Sequence, residues 1–335
     1  MESIIVSVIV ITYNQERTIS RTLDSILMQQ CHVPFEIVIG EDCSTDATLS
    51  ICQQYAQNHP DIIHLIANQQ NKGFIDNYFD CIIACRGKYI ADCAGDDFWV
   101  SPLKLEKELN IMEQHPNVTL VHTDWACYRE TSGKTYASPQ KLFTAPITAG
   151  HEMLEAIVTQ LEAPVIHLCT SLYRADIIKQ ALREDDSQFR NKEFGCEDLQ
   201  IAFLMAQQGD IAYLPEVTLN YSQGSETVSC SADSRKQFRF TLRVSNLSYL
   251  LAKRNHLQGP VVSQYFSKRV FALGMHAFRA HDRQLLEETL QAEKKWQAPR
   301  LAKTSVLFFA MHYRCLWGLA LLLRKGFVTM KRLSH

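Results

Sequence analysis

With 335 residues, 46% hydrophobic and 21% charged, the chain has the composition of a globular protein and is long enough for one large domain with an appendage or for two domains. It contains no internal repeat and no low-complexity segment. The formal net charge is only −2, but Lys294 to His335 holds nine Lys/Arg and no Asp or Glu, so the rest of the chain carries −11. An acidic body therefore bears a basic tail. Eleven cysteines, with no Cys-x-x-Cys pair and no zinc-like grouping with His, speak against a zinc module and for reduced core thiols in a cytosolic compartment.

Met1-Glu2-Ser3 runs straight into a strand and lacks a basic n-region, so no signal peptide is expected. The β-branched run Ile4 to Thr12 predicts a strand buried on both faces. A helix is expected from Glu16 to Met28, with Ile19, Leu23, Ile26 and Leu27 on one face and Asn14 capping near its start. Phe35 to Gly40 predicts the next strand, and Glu41-Asp42-Cys43-Ser44-Thr45-Asp46 its carboxyl-end loop, leading into a helix with Leu49, Cys52 and Ala56 inward. Ile62 to Ile66 predicts a third strand, Asn68 to Gly73 a polar loop, and Phe74 to Cys85 a third helix. The apolar strand Tyr89 to Cys93 follows and leads to two adjacent carboxylates, Asp96 and Asp97. Short βα units of this kind specify a mostly parallel sheet flanked by helices, hence an α/β fold.

Ser101-Pro102 reads as an N-cap and first-turn proline before a helix with Leu105, Leu109 and Met112 inward. Val118 to His122 and Pro164 to Tyr173 read as further strands, with a surface excursion over Glu130 to Gly150. Glu197-Asp198 opens a helix, Leu199 to Ala206, that closes at Gly209. Ile211 to Leu214 and Val217 to Tyr221 read as short closing strands, followed by a loop over Ser222 to Ser234. From about Arg235 the pattern is helical. The expected organisation is a catalytic domain over residues 1–225 and a helical region over residues 226–335.

In an open α/β sheet, ligands bind past the carboxyl ends of the strands. Thr12-Tyr13-Asn14, Glu41-Asp42, Asn71-Lys72 and Asp96-Asp97 fall at those ends, and Glu197-Asp198 adds a second acidic pair. Two neighbouring carboxylates need a cation or hydrogen-bond donors, and hard oxygen ligands suit Mg²⁺ or Mn²⁺ together with substrate phosphates. An acidic turn and a helix cap are the plain structural alternatives for the two pairs. Gly-x-Gly-x-x-Gly and Gly-x-x-x-x-Gly-Lys-Ser/Thr are both missing, so a nucleotide here has to bind through a metal and side chains.

Taken together, Val6 to Asn14, Glu41 to Thr48, Asn71-Lys72-Gly73 with Asn77, Gly95-Asp96-Asp97-Phe98-Trp99 and Glu197-Asp198 resemble family 2 glycosyltransferases of the GT-A fold over residues 4–225. The resemblance implies a nucleotide-sugar donor, a UDP-sugar by expectation, a divalent metal and transfer with inversion to a glycan or lipid-linked glycan hydroxyl. Carried over by position, it implies that Tyr13 stacks on the donor base with Thr12 and Glu16 nearby, and that Asp42 accepts a hydrogen bond from the base. Lys72, Asn77 and Gly95 are placed on the donor side. Asp96 becomes the metal ligand with Asp97 close by, Asp198 the general base and Glu197 its neighbour. The family usually carries an acid where this chain has Ala94; Asp92, one strand-alternation back, lies on the same face from deeper inside.

Gln-x-x-Arg-Trp is missing after the acidic pair, which speaks against processive synthesis. The first loop lacks the Gly-rich, Arg/Lys-bearing character of a nucleotidyltransferase. Ala94 motivates a rival reading, a non-catalytic sugar-nucleotide-binding or scaffold protein. In the tail, Val306 to Met311 and Leu316 to Leu323 are interrupted by His312 and Arg314 and too short for a membrane span. An amphipathic contact of residues 294–335 with an anionic membrane surface is expected, or else a terminal helix packed on the protein's own core. Nucleic acid is not an expected partner, because the basic residues are embedded among apolar ones. The expected location is cytoplasmic, at the inner face of a bacterial membrane.

Overall fold

The computed structural model describes residues 3–137, 143–160, 166–224 and 233–313. The β-branched run forms β1 (Val6–Thr12), which has Val6, Val8 and Val10 in the core and pairs in parallel with β2 (Phe35–Glu41). Helix α1 (Ile19–Leu27) lies between them, α2 (Thr48–Asn58) follows β2, and β3 (Ile63–Ala67) pairs in parallel with β2. α3 (Phe74–Ala84) then crosses to β4 (Tyr89–Asp92), parallel to β1.

Next come β5 (Phe98–Trp99), α4 (Lys104–Gln114), β6 (Val118–Arg129), β7 (Lys134–Ala137), β8 (Ile147–Thr148) and α5 (Gly150–Thr159). β9 (Ser171–Arg174), α6 (Ala175–Glu184), α7 (Glu197–Gln208) and β10 (Asp210–Gln223) complete the ten-stranded sheet, in the order β3-β2-β1-β4-β9-β6-β10-β5. β9 runs antiparallel to both β4 and β6, while β10 is parallel to β6. The α/β expectation holds.

Several boundaries differ from the sequence reading, each for a physical reason. α1 starts at Ile19, not Glu16, because Asn14 adopts φ 52° and its Oδ1 accepts from the Thr45 N–H instead of capping the helix. α4 starts at Lys104, because the Ser101 hydroxyl donates to Glu216 and leaves the helix N-terminus. The two closing strands are one strand, β10, whose register with β6 shifts between Leu214 and Val217, where Pro215 has no N–H to give the ladder. Of the expected strand Pro164 to Tyr173, residues 164 and 165 lie outside the described residues; Leu168–Thr170 form a 3₁₀ turn and only Ser171–Arg174 is strand. Residues 138–142 of the excursion and 225–232 of the later loop also lie outside.

The chain divides into two compact units, Met1–Gly224 and Ser225–His335. The second holds α8 (Ser234–Arg254), α9 (Pro260–Ala280), α10 (Arg283–Trp296) and α11 (Ala302–His312). α11 comes close to α9 at Gly274, where an added Cβ would stand 2.9 Å from Phe308 and 3.0 Å from Leu307. Met311 is buried there, while Val306, Phe309 and Tyr313 are 70%, 62% and 46% exposed. Residues 314–335, with most of the basic tail, lie outside the described residues.

Candidate active site

The acidic loop after β4 is held by its backbone. Three residues of α1 and the turn before it, spaced i, i+3 and i+4 and so on one face of the helix, meet three consecutive carbonyls. Thr18 Oγ1 donates to Gly95 O at 2.8 Å, Arg21 Nη2 to Asp96 O at 3.0 Å, and Thr22 Oγ1 to Asp97 O at 2.6 Å. Arg21 is fixed in turn by Glu130 at 2.5 Å, by Ser222 Oγ at 3.2 Å and by the Phe98 ring, 4.2 Å from the guanidinium carbon. Gly95 has no room for a side chain: a Cβ would stand 2.4 Å from Gln15 Oε1 and 2.9 Å from Thr12 Oγ1.

The first two loops are stitched together. Glu16 Oε2 accepts from Ala47 N–H, Asp46 accepts from Glu16 N–H and Thr48 N–H, and Asn14 N–H donates to Ser44 Oγ. Thr12 is buried and donates to Gln15 Oε1, while Tyr13 stays 44% exposed, with its ring open to a partner. Asp42 is buried and accepts from Lys72 N–H at 2.8 Å, Gly73 N–H at 2.9 Å and Asn68 Nδ2 at 3.1 Å. Asn77, also buried, bridges Gly40 O and Asn68. Lys72 Nζ pairs with Asp80 at 2.7 Å. Glu16, Asp42, Asn77 and Lys72 thus shape these loops through contacts within the protein.

The two acidic pairs converge. A cavity of about 40 Å³ beside Ala94 is lined by Asp92, Glu197 and Asp198 together with Tyr78, Leu168 and Cys169. Burial pushes the Asp97 carboxyl well above the ordinary range, Asp96 adds to the rise, and Asp198 contributes through its charge, although Ser222 N–H donates to Asp97 Oδ1 at 2.8 Å. Burial also raises Asp96, and Glu197 and Asp198 are raised by burial, Asp198 further by Glu197 and Asp92. Such mutual repulsion is what a bound cation relieves. Asp96 and Asp97 supply hard oxygen donors that fit a divalent ion. Among the described residues no group of three or more His, Cys, Asp or Glu could hold one alone. The remaining ligands would have to be phosphate oxygens and water.

Residues 7–182 match the family model described as Glycosyl transferase family 2. The chain belongs to that family. An uncharacterised protein of Mycobacterium tuberculosis is 41% identical over 114 residues, 34% of this chain and 33% of its own length. The chain therefore spans about a third of such mycobacterial relatives. The Escherichia coli enzyme WfgD, a UDP-Glc:α-D-GlcNAc-diphosphoundecaprenol β-1,3-glucosyltransferase, is 28% identical over 144 residues, 42% of this chain and 54% of its own. Among solved structures, Staphylococcus aureus TarS in complex with UDP-GlcNAc superposes with a TM-score of 0.53 at 17% identity over 84% of this chain and 83% of its own. A Pyrobaculum calidifontis mannosyltransferase in complex with GDP-Man and Mn²⁺ gives 0.50 at 18% identity over 97% and 82%. At these identities the superpositions establish the fold, and the GT-A expectation for this family 2 chain holds.

Sequence reasoning did not single out Thr18, Arg21, Thr22, Glu130 or Ser222. The first three stand together on one helix face directly after the first loop, a signal indistinguishable in sequence from a solvated polar face. Asp92, the residue on this strand that could compensate for the acid missing at Ala94, lines the same cavity as Ala94, Glu197 and Asp198.

Proposed function

We propose that this family 2 chain is a metal-dependent, inverting glycosyltransferase. It moves a sugar from a nucleotide-sugar donor, a UDP-sugar, to a hydroxyl of a growing surface glycan, which we take to be lipid-linked. The observation that carries this reading is the convergence of two acidic pairs, Asp97 buried and the other three carboxyls partly so, at the carboxyl edge of the sheet, one pair locked by its backbone and the other bordering a cavity. WfgD, whose name gives a UDP-sugar donor and a lipid-linked acceptor, supports the substrate classes.

Tyr13 offers an exposed ring for the donor base, beside the Thr12, Glu16 and Asp42 loops. Asp96, with Asp97, would hold Mg²⁺ or Mn²⁺, which when bound would offset the negative charge of the departing nucleoside diphosphate. Asp198 takes the proton of the acceptor hydroxyl as that oxygen attacks the anomeric carbon and the bond to the diphosphate breaks. Glu197 keeps negative charge beside that proton. The helical region would bring the site to an anionic membrane surface, a role supported by the exposed apolar residues of α11 and the basic residues around it. Among the described residues no helix is long and apolar enough to cross a membrane.

The test is a panel of UDP-, GDP- and dTDP-sugars with Mn²⁺ or EDTA, read as released nucleoside diphosphate and as donor binding by calorimetry. One donor should be consumed only with metal. Asp198→Asn should nearly abolish release while donor binding survives, and Asp96→Ala should weaken metal-dependent binding. Wild-type turnover by Asp198→Asn removes that residue as the base. Metal-dependent binding without turnover, even with lipid-linked acceptors supplied, favours the non-catalytic reading that Ala94 motivates.

A further inference from the structure

Asp92 ends a strand that is otherwise apolar, Tyr89-Ile90-Ala91, and its register partner in β1 is Ile9. The residue is 5% exposed, and neither carboxyl oxygen has a hydrogen-bond partner at good geometry. Both oxygens are buried, and the residue lines the cavity it shares with Glu197 and Asp198. An ionised carboxylate left this way is strongly unfavourable.

The groups that act on it leave one resolution. α3 contributes the Tyr78 hydroxyl, with the thiols of Cys81 and Cys85 further along, and β9 contributes Tyr173; the two phenols are hydrogen-bonded to each other at 2.9 Å. α7 contributes only negative groups, Glu197 and Asp198, and the next residue is the Cys93 thiol. Among the described groups that act most strongly on it, the cation is Lys104 of α4, whose ammonium is committed to Glu108 at 2.7 Å. With no free counter-ion, a proton must neutralise the group. Burial accordingly pushes the Asp92 carboxyl up to about 7, against the opposing effect of the two tyrosine hydroxyls. The cavity of about 40 Å³ exceeds the space that one water needs, and its three carboxyls and Tyr78 supply the polar partners.

We propose that Asp92 is a positioning residue for the Glu197–Asp198 pair, standing protonated beneath it and donating a hydrogen bond to it through water held in the shared cavity. This rests on the reading of Asp198 as the base. A neutral Asp92 leaves the negative charge of the cluster to the pair and fixes its orientation. It also gives the acid on this strand a task other than replacing the one missing at Ala94.

The test uses the full chain with Asp92→Asn, which keeps shape and a donor, and Asp92→Leu, which keeps volume and no donor. Urea unfolding midpoints are first followed against pH. A carboxyl whose folded pKa is raised contributes stability that is fully present below its unfolded pKa and is lost as pH rises through the folded value. Wild type should therefore lose stability relative to Asp92→Asn as pH rises from about 4 to about 7 and then level off. A wild type whose stability relative to Asp92→Asn stays level over that interval has an Asp92 that is ionised throughout it, and the proposal falls.

A double-mutant cycle of Asp92→Asn with Asp198→Asn, read in the same midpoints, should be non-additive; additivity would mean that the two do not share the cavity water. Release of UDP from UDP-glucose with Mn²⁺ is the third readout. Asp92→Leu should lower kcat about tenfold with the donor KM unchanged, and Asp92→Asn should recover most of the loss. Full activity of Asp92→Leu overturns the positioning role. A wild type that binds donor and never turns it over overturns the base on which that role rests, while the pH series still decides where the proton resides.

Discussion

Glu36 and Asp92 are the same kind of group at opposite edges of the sheet, and their environments drive them in opposite directions. Burial raises Glu36, but Ser7 Oγ, Arg86 N–H and the Arg86 guanidinium all donate to it within 2.7 Å and leave it below the ordinary carboxylate range. It ties β1 and β2 to the turn before β4. There Gly87 lies so close to Ser7 that an added Cβ would stand 2.6 Å from its backbone nitrogen. This amino edge is a satisfied structural joint, whereas at the carboxyl edge burial and neighbouring carboxyls raise Asp97 and Asp198, as in a binding site. Because its folded pKa is depressed, Glu36 contributes stability that is present above its unfolded pKa and is lost as pH falls through the folded value. Glu36→Gln should therefore cost about 2 kcal/mol at neutral pH. That gap should shrink on acidification below about pH 4. A gap that stays constant across the acid limb, in urea midpoints taken at each pH, would show that packing and not charge holds the joint.

α1 is the element that converts a sequence of βα units into a site. Its Thr18, Arg21 and Thr22 donors fix the carbonyls of Gly95, Asp96 and Asp97, so the acidic loop is held through its backbone, while the Asp97 carboxyl accepts separately from Ser222 N–H. Thr22→Val keeps the shape of the side chain and deletes the 2.6 Å bond to Asp97 O. It should cost about 1–3 kcal/mol through the orphaned carbonyl. It should also weaken the Mn²⁺ dependence of donor binding several-fold, with less effect on turnover; unchanged Mn²⁺ titrations would mean that the loop is set elsewhere. The elements up to β4 were legible in the sequence to within about three residues, because each βα unit carries its own periodicity and turn chemistry. The positions of the acidic motifs past the strand ends were legible too, although a turn or a helix cap would place the same residue types there. What could not be read depends on distant neighbours. β9 is a four-residue strand wedged antiparallel between β4 and β6, and β6 runs on to Arg129 because β10 and β7 extend beside it. Arg21 looks like a solvated helix residue until Glu130 and Ser222, more than a hundred residues away, close around it. Asp42 and Lys72 show the converse: correctly singled out as loop residues, they spend their strongest contacts on the protein itself.

At the scale of the molecule, the uneven charge bears on how the second unit meets a surface. Along α11, Thr304, Phe308 and Met311 are buried, while Val306, Phe309 and Tyr313 form an exposed apolar edge at spacings of three and four. α11 is thus in part the terminal helix packed on its own unit, and in part the apolar surface that a membrane contact needs. No Asp or Glu lies from 294 onward, although Arg300 pairs back to Glu293, and each Lys/Arg near an anionic leaflet contributes about 1 kcal/mol. Each large apolar side chain that enters the interface adds roughly 2 kcal/mol. If the edge inserts, Val306→Glu with Phe309→Glu should lower binding to vesicles containing phosphatidylglycerol by at least roughly tenfold. Release of nucleoside diphosphate from a water-soluble donor should stay unchanged. Raising the salt should weaken wild-type binding as well, since the electrostatic part is screened, but it should leave a residual binding that the double variant lacks. Equal flotation of the two proteins at high salt would assign any membrane contact to residues after 313 or to charge alone, and α11 would then be a packing helix whose outer edge is incidental.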